Sequence, residues 1–542
     1  MLERRTFVAA AAALLPLAAR AADGAASAGG STGAADAPGD WQDQGDTAAS
    51  NTAALNRNPK LALRHEAAAD YRVTSYRMLE GLAPGSYTLR AKARSSGGQP
   101  SVFAFARVAG HSLARTHPLA SAEPRELVIP GIPVGADGRL ALGLHSDARG
   151  GQWAELADIA LQRDAVARPF LAGGDVSVLS WMDQAGARYA DRQGRERDAL
   201  QILKDAGHSI VRLRLYESPG SGHGVDDWYW PAHCMDLGDL LGLARRSATL
   251  GLQIELTFHY SDFWTNAKTQ TPPHAWTREL DALPDESARF ARLVELVGAR
   301  TREVLAALKA QGTPPQFVSL GNEIEAGMLY PYGAATAANW PRLGALLKAG
   351  HAAVKAVLPD ARVILHLDDA GNLAKYHGWF DAARAQSVDW DVIGASYYPF
   401  WTRRRVDDVV AFARDVTARY DRDLMIMEAG FNFAPTLPNG WPGQLADNGP
   451  YPPEKSSPAG QRDWIDELFN GLKAAGRVLG VLYWDPIMID CPGVGWALHE
   501  GDAKPGANVV ANTTLFDFKG RALPVLDVWR DHAPALPLTQ TS

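Results

Sequence analysis

From about residue 166 onward, short apolar runs recur along the chain, each separated from the next by a segment with helical spacing. Residues 209–215 follow a helical stretch at 195–206, residues 252–258 follow one at 238–250, and residues 316–320 follow a long one at 287–310. The runs at 361–367, 391–396, 424–427 and 479–484 continue the pattern, and a first strand near 170–178 brings the count to eight. Strands joined by helical crossovers run parallel. Eight such units over roughly 370 residues predict an α/β fold, a (β/α)8 TIM barrel with extended loops. A doubly wound open sheet is the competing arrangement. It would bring a Gly-rich phosphate fingerprint after its first strand, and none is present.

The region before the barrel has a different period. Tyr87, Leu89, Ala91 and Ala93 alternate with Thr88, Arg90, Lys92 and Arg94, after a turn at Pro84-Gly85. Leu140, Leu142 and Leu144 alternate with Arg139, Ala141 and Gly143. Alternation punctuated by Gly and Pro, with no strong helical stretch, predicts a smaller all-β sandwich over residues 41–163, ahead of the barrel at 166–535. Residues 1–21 have a basic start at Arg4-Arg5, an apolar run too short to span a bilayer, and an Ala19-Arg20-Ala21 cleavage pattern. They read as a signal peptide, with the paired arginines suggesting the twin-arginine route. The mature protein is then expected in the periplasm or the medium, without a membrane span. Residues 22–40, rich in Ala, Gly, Ser and Asp, read as a flexible linker.

Composition removes several function classes. A net charge of −7 argues against nucleic acid as a partner. Two cysteines, Cys234 and Cys491, exclude a disulfide scaffold and a Cys-based zinc centre. Both fall in loops on one barrel face, where export would permit a bridge if the geometry allows. Of 16 tryptophans, all but Trp41 and Trp153 lie after residue 165. Flat apolar rings suit sugars, and they equally fill cores.

Chemistry in a (β/α)8 barrel sits at the carboxyl ends of the strands. Those ends carry Arg212 and Arg214 on strand 2, the run 259–264 on strand 3, and Asn322-Glu323 on strand 4. His366 and Asp368 end strand 5, Ser396-Tyr397-Tyr398 strand 6, Glu428 strand 7 and Trp484-Asp485 strand 8. Glu323 and Glu428 lie on strands that face each other across the mouth. A pair of carboxyl groups placed this way can cleave a glycosidic bond, one protonating the leaving oxygen and the other attacking the anomeric carbon or activating water.

Taken in order, these segments resemble glycoside hydrolase family 53, the arabinogalactan endo-β-1,4-galactanases among the retaining clan A barrels. The resemblance spans about residues 170–530. It is carried by the segments 174–177, 211–215, His259-Tyr260-Ser261-Asp262-Phe263-Trp264, Gly321-Asn322-Glu323-Ile324, Ser396-Tyr397-Tyr398-Pro399, Tyr483-Trp484, Gly495-Trp496-Ala497 and Leu515-Phe516-Asp517.

The resemblance implies Glu323 as acid/base and Glu428 as nucleophile. It implies Asn322 on the sugar 2-hydroxyl, Arg214 (or Arg212, on the same strand face) paired with Glu428, and Tyr398 or Tyr397 hydrogen-bonded to it. Trp484 would be the floor of the sugar site, His259, Asp262 and Asn266 would line the strand 3 side, and Trp496 would also contact substrate. The implied partner is plant cell-wall galactan or arabinogalactan, with no cofactor. Another β-glycan, mannan or β-glucan, and a non-catalytic glycan-binding role are the alternatives. The chain departs from the family's usual pattern at Ala429, at Asp485 and at Asn266. Some bacterial members bind calcium after strand 7, but here residues 431–458 hold one Asp and no His, so no metal site is expected. The sandwich resembles galactose-binding-like modules, with Trp153, Tyr71 and Tyr87 as the aromatics to weigh between sugar stacking and packing.

Overall fold

The computed structural model describes residues 39–532, apart from 109–112, 221, 267 and 503. The signal segment 1–21 and nearly all of the 22–40 linker lie outside the described residues. Nine strands build the N-terminal region: β1 Gln42–Gly45, β2 Leu63–Glu66, β3 Tyr71–Leu79, β4 Gly85–Ser95, β5 Ser101–Val108, β6 Leu113–Thr116, β7 Ser121–Val134, β8 Leu140–Ala148 and β9 Trp153–Arg163. They form two antiparallel sheets, ordered β1-β3-β8-β5-β6 and β2-β9-β4-β7. The period-two residues meet between the sheets. Leu89, Ala91 and Ala93 of β4 share one core with Ala104 and Ala106 of β5 and Leu140, Leu142 and Leu144 of β8. A short helix, Thr52–Arg57, breaks the expected run of strands.

Eight parallel strands close the barrel: Leu171–Asp175, Ile210–Leu215, Gln253–Phe258, Phe317–Leu320, Arg362–Leu367, Val392–Tyr397, Asp423–Ala429 and Val478–Tyr483. They are numbered 1 to 8 below. Several of the intervening helices open on a side chain that satisfies an orphan backbone N–H. Asp198, Asp236, Asp285, Asn372 and Ser457 each accept from the residue three positions on. Leu171, Ile210, Phe317, Ile364, Val392, Met425, Met427, Leu479 and Leu482 pack together inside the barrel. Full burial of side chains of this size contributes about 1.5–3 kcal/mol each, so this plug ties all the strands but the third into one unit.

The sandwich packs on the barrel through β6 and β7, which meet the helices Pro458–Ala475 and Val525–His532. Among the described residues no helix is long and apolar enough to cross a membrane. Cys234 and Cys491 are both buried and both free.

Candidate active site

Four residues just beyond barrel strands hold positive φ: Tyr260 (49°), Glu323 (47°), Asp369 (54°) and Asp485 (40°). Non-glycine residues enter this region only when their surroundings impose it, and such residues cluster at functional sites. Here they ring one end of the barrel. Strand 7 adds a bulge: Ala395 of strand 6 pairs with Ile426, but Ser396 pairs with Glu428, so Met427 is the extra residue. The bulge allows consecutive side chains to serve the interior, Met427 in the apolar plug and Glu428 above it in a cleft.

That cleft has a volume of about 750 Å³ and takes in Glu323, Glu428, Asn322, Tyr398, Trp484 and Trp496 in its walls. Carboxylate oxygens of Glu323 and Glu428 lie within 4.8 Å of each other. The surroundings of the two differ. Arg212 donates from Nη1 to Glu428 Oε1 at 2.8 Å, and the Tyr398 hydroxyl donates to Oε2 at 3.0 Å. Burial and the neighbouring Glu428 and Glu323 hold the Tyr398 hydroxyl well above its ordinary range, which keeps it a donor. Glu323 has no such cation. Burial, then Glu428 and Glu325, push its carboxyl well above the ordinary range, against a hydrogen bond from Ser396 to Oε1 at 2.8 Å. The surroundings thus favour a proton on Glu323, while a guanidinium is held against Glu428.

The two arginines of strand 2 divide their work, which corrects the pairing expected for Arg214. Arg212 reaches Glu428, and its Nη2 donates to Asn322 Oδ1 at 2.7 Å. Asn322 in turn donates one N–H to the Thr265 carbonyl at 3.0 Å, so its amide plane is fixed and its second N–H is left for substrate. Arg214 turns instead to Asp485 at 2.7 Å and Asp175 at 3.1 Å. Its guanidinium lies 4.4 Å from the Trp484 ring centroid, holding one face of the indole and leaving the ring as a wall of the cleft. Burial raises Asp485, with Asp175 adding to the effect.

The strand 3 side is more mixed. Asn266 lines the cleft, and its side chain also ties its own loop by accepting from the Lys268 and Thr269 N–H groups. His259 and Asp262 fall outside the lining. His259 is buried, stacked 4.3 Å from Tyr216, with Nδ1 on the Thr265 hydroxyl at 2.6 Å. Asp262 accepts the backbone N–H groups of Ser218 and His274 and so joins two loops. Both support the wall from behind because the chain turns directly after Phe258. The walls include residues that sequence reading did not assign: Trp264 and Trp230, whose rings pack 4.6 Å apart, Lys268, Asp368, and Trp401, which is 51% exposed. Ser396, named as a strand-end residue, was given no role. Its position two residues before Tyr398, on the same strand face, was the available signal.

Glu323, His366 and Glu428 also approach one another closely enough to suggest a cation. The Arg212 guanidinium already neutralises Glu428, and Ser396 occupies both His366 Nε2 and Glu323 Oε1. The donor set does not fit a metal.

Two unlike carboxyl groups this close at the open end of a (β/α)8 barrel suit the double displacement of a retaining glycoside hydrolase, where the separation is about 5–5.5 Å. Residues 171–529 match the model of glycosyl hydrolase family 53, and the chain belongs to that family. It is 30% identical over 341 residues to an arabinogalactan endo-beta-1,4-galactanase of Cellvibrio japonicus, covering 62% of this chain and 85% of that one. It is 26% identical over 391 residues to an endo-beta-1,4-galactanase of Bacillus subtilis, covering 67% and 86%. The solved family 53 catalytic domain of Ignisphaera aggregans superposes with a TM-score of 0.59 at 31% identity, over 68% of this chain and 97% of that one.

Proposed function

We propose that this chain hydrolyses internal β-1,4-galactosidic bonds of galactan or arabinogalactan with retention of configuration. The observation that carries the reading is the asymmetry of the pair: Glu428 is paired with Arg212 and Tyr398, while burial and the neighbouring Glu428 push the carboxyl of Glu323, within 4.8 Å, well above its ordinary range. In the first step Glu428 attacks the anomeric carbon. The bond to the leaving oxygen breaks, and that oxygen takes the Glu323 proton. In the second step Glu323 removes a proton from water, the water oxygen attacks the same carbon, and Glu428 leaves. Asn322 holds the 2-hydroxyl with its free N–H, and Trp484 offers the sugar ring an apolar face.

The galactan substrate and the internal site of cleavage are supported by what the relatives are named for. Reducing-sugar release from pure galactan, mannan and β-glucan tests it. Release from galactan alone is expected, and a mannan- or glucan-selective result would replace the substrate while leaving the chemistry.

For the sandwich, packing is the better supported role. Trp153 is covered by Arg64 and Arg94, at 4.8 and 5.6 Å from its ring. Tyr71 and Tyr87 are buried, with their hydroxyls on the Gln152 and Ala83 carbonyls. Export through residues 1–21 fits a polymeric plant substrate that cannot enter the cell.

A further inference from the structure

Beside the acid/base carboxyl lies a chain of two buried polar side chains that the double displacement does not itself require. Ser396 Oγ stands 2.8 Å from Glu323 Oε1, and His366 Nε2 stands 2.8 Å from the same Oγ. Both Ser396 and His366 are closed off from solvent, whereas Glu323 keeps part of its surface open to the cleft. We propose that Ser396 and His366 act as a positioning relay that holds Glu323 by Oε1, so that its transferable proton resides on Oε2, toward the glycosidic oxygen. The proposal rests on the reading of Glu323 as acid/base.

A serine hydroxyl has one proton and can point it either way. What directs it here is the histidine. Burial, with Arg212 nearby, holds His366 well below its ordinary range, so the ring is neutral and carries a single N–H. Among the described residues its Nδ1 has no hydrogen-bond partner. A proton on Nδ1 would be an orphaned buried donor, which proteins rarely tolerate, while an unpaired acceptor nitrogen costs less. The proton therefore sits on Nε2 and donates to Ser396 Oγ. The serine proton is then free only for Glu323 Oε1. In a protonated carboxyl the carbonyl-type oxygen is the better acceptor, so the oxygen that accepts from Ser396 is the unprotonated one and the carboxylic proton is left on Oε2. The same hydrogen bond favours the ionised form of Glu323, which must act as base in the second step.

The charged and titratable groups that bear on Glu323 are Glu428 from strand 7, Glu325 from its own loop, Asp368 beyond strand 5, His366 at the end of strand 5, Tyr398 after strand 6, and Tyr376 on the helix Leu373–Ala385. Arg212 from strand 2 stands on Glu428 and bears on His366.

The test compares kcat/KM on galactan, whose leaving group needs a proton, with kcat/KM on a 2,4-dinitrophenyl β-galactobioside, whose leaving group does not. A general acid contributes roughly 10²–10⁴-fold, so misplacing its proton in Ser396→Ala is expected to cost about 10- to 100-fold on galactan and less than about threefold on the aryl substrate. Loss of a donor to the carboxylate raises the proton affinity of Glu323. The basic limb of the galactan profile should therefore move to higher pH, and Ser396→Thr should restore it. His366→Asn should show the same leaving-group signature with a smaller loss, and serves if Ser396→Ala does not fold. Competent sites are counted by the dinitrophenolate burst from the 2-fluoro analogue of the aryl substrate. Equal losses on both substrates, or an unmoved basic limb, would overturn the relay and leave a packing role. If Glu323→Ala itself lost the aryl substrate as severely as galactan, the acid/base reading would fail, independently of Ser396.

Discussion

Two parts of the molecule bury charge densely, and only one of them is a site. At the open end of the barrel, Arg212, Arg214, Asp175, Glu255 and Asp485 lie in one enclosed group with Glu428. At the seam between sandwich and barrel, Arg115 and His117 of the sandwich share Asp531, at 2.9 and 2.6 Å. Next to them Lys473 donates to His532 Nδ1 at 2.9 Å, and His532 donates to Asp466 at 2.7 Å. Titrations are perturbed in both places. Burial pushes Glu255 up to about 8 at the barrel end, and burial pushes Lys473 down to about 7 at the seam. A displaced pKa therefore does not by itself mark a site. The difference is access: at the seam the polar atoms point at one another, while Glu323, Asn322 and Glu428 face a cleft.

The largest effect that tests this contrast comes from one kind of substitution made in both places. Glu428→Gln keeps shape and removes the nucleophile, and is expected to lower kcat on galactan by about 10⁴-fold or more with the fold retained. Asp466→Asn removes a carboxylate charge from the seam, and should cost about 1–3 kcal/mol of stability with unchanged activity per folded molecule. Denaturant melts and kinetics on the two variants check both halves. A seam variant that folds normally yet loses turnover would show that the seam communicates with the cleft.

The next effect is a pH dependence to which the seam contributes, alongside the buried His65 of the sandwich and His208 of the barrel, both also pushed down by burial. Burial and the Lys473 ammonium push His532 from 6.5 down to about 4, despite Asp466. The unfolded chain then takes up a proton between pH 6.5 and 4 that the folded protein refuses, so stability falls as pH falls through that window. The loss reaches roughly 3 kcal/mol. His117 has the opposite sign: Asp466 and Asp531 hold it raised, so its contribution is fully present below 6.5 and is constant across the window. Asp466 and Asp531 are depressed, and their contribution is lost only as pH falls below about 3.8. His532→Gln should therefore flatten the acid limb of Tm against pH relative to the parent. Parallel curves for the two proteins would remove His532 as an acid sensor.

The contrast between cleft and seam also separates what could be read in the sequence from what could not. All eight barrel strands and the two carboxyl groups were legible, because period and strand-end position are local properties: residues 252–258 became Gln253–Phe258, and 424–427 became the core of Asp423–Ala429. The choice between Arg212 and Arg214 was not. Both end on one strand face, and only the bulge that lifts Glu428 and the approach of Asp485 decide which guanidinium meets which acid. His259 and Asp262 were expected along the cleft from the family resemblance. Their roles are set by contacts outside their own run, with Tyr216, Ser218 and His274. The seam was invisible for the same reason. Its residues are single polar positions on β6 and on two late helices, and each is ordinary until a different element closes over it.

The smallest effect concerns aromatics, where the same distinction between engaged and available groups applies. Trp401 is 51% exposed and lines the cleft, its ring set edge-on to Tyr398 at 4.7 Å. Trp153 on the sandwich carries two guanidinium groups over its ring. A ring held in place by one neighbour and bare on a face costs little to occupy with a sugar. A ring already covered by Arg64 and Arg94 must lose those contacts first. An aromatic contact of about 1 kcal/mol corresponds to roughly fivefold in affinity, so Trp401→Ala should raise KM for galactan about that much while leaving kcat nearly unchanged. Trp153→Ala should leave KM unchanged and lower the melting temperature. The measurement is KM on polymeric galactan and on short galacto-oligosaccharides for both variants. If Trp153→Ala raised KM on the polymer alone, the sandwich would be gripping the chain at a second point, since a tethered module helps only a substrate long enough to reach both. The packing role of the sandwich would then give way to a binding one.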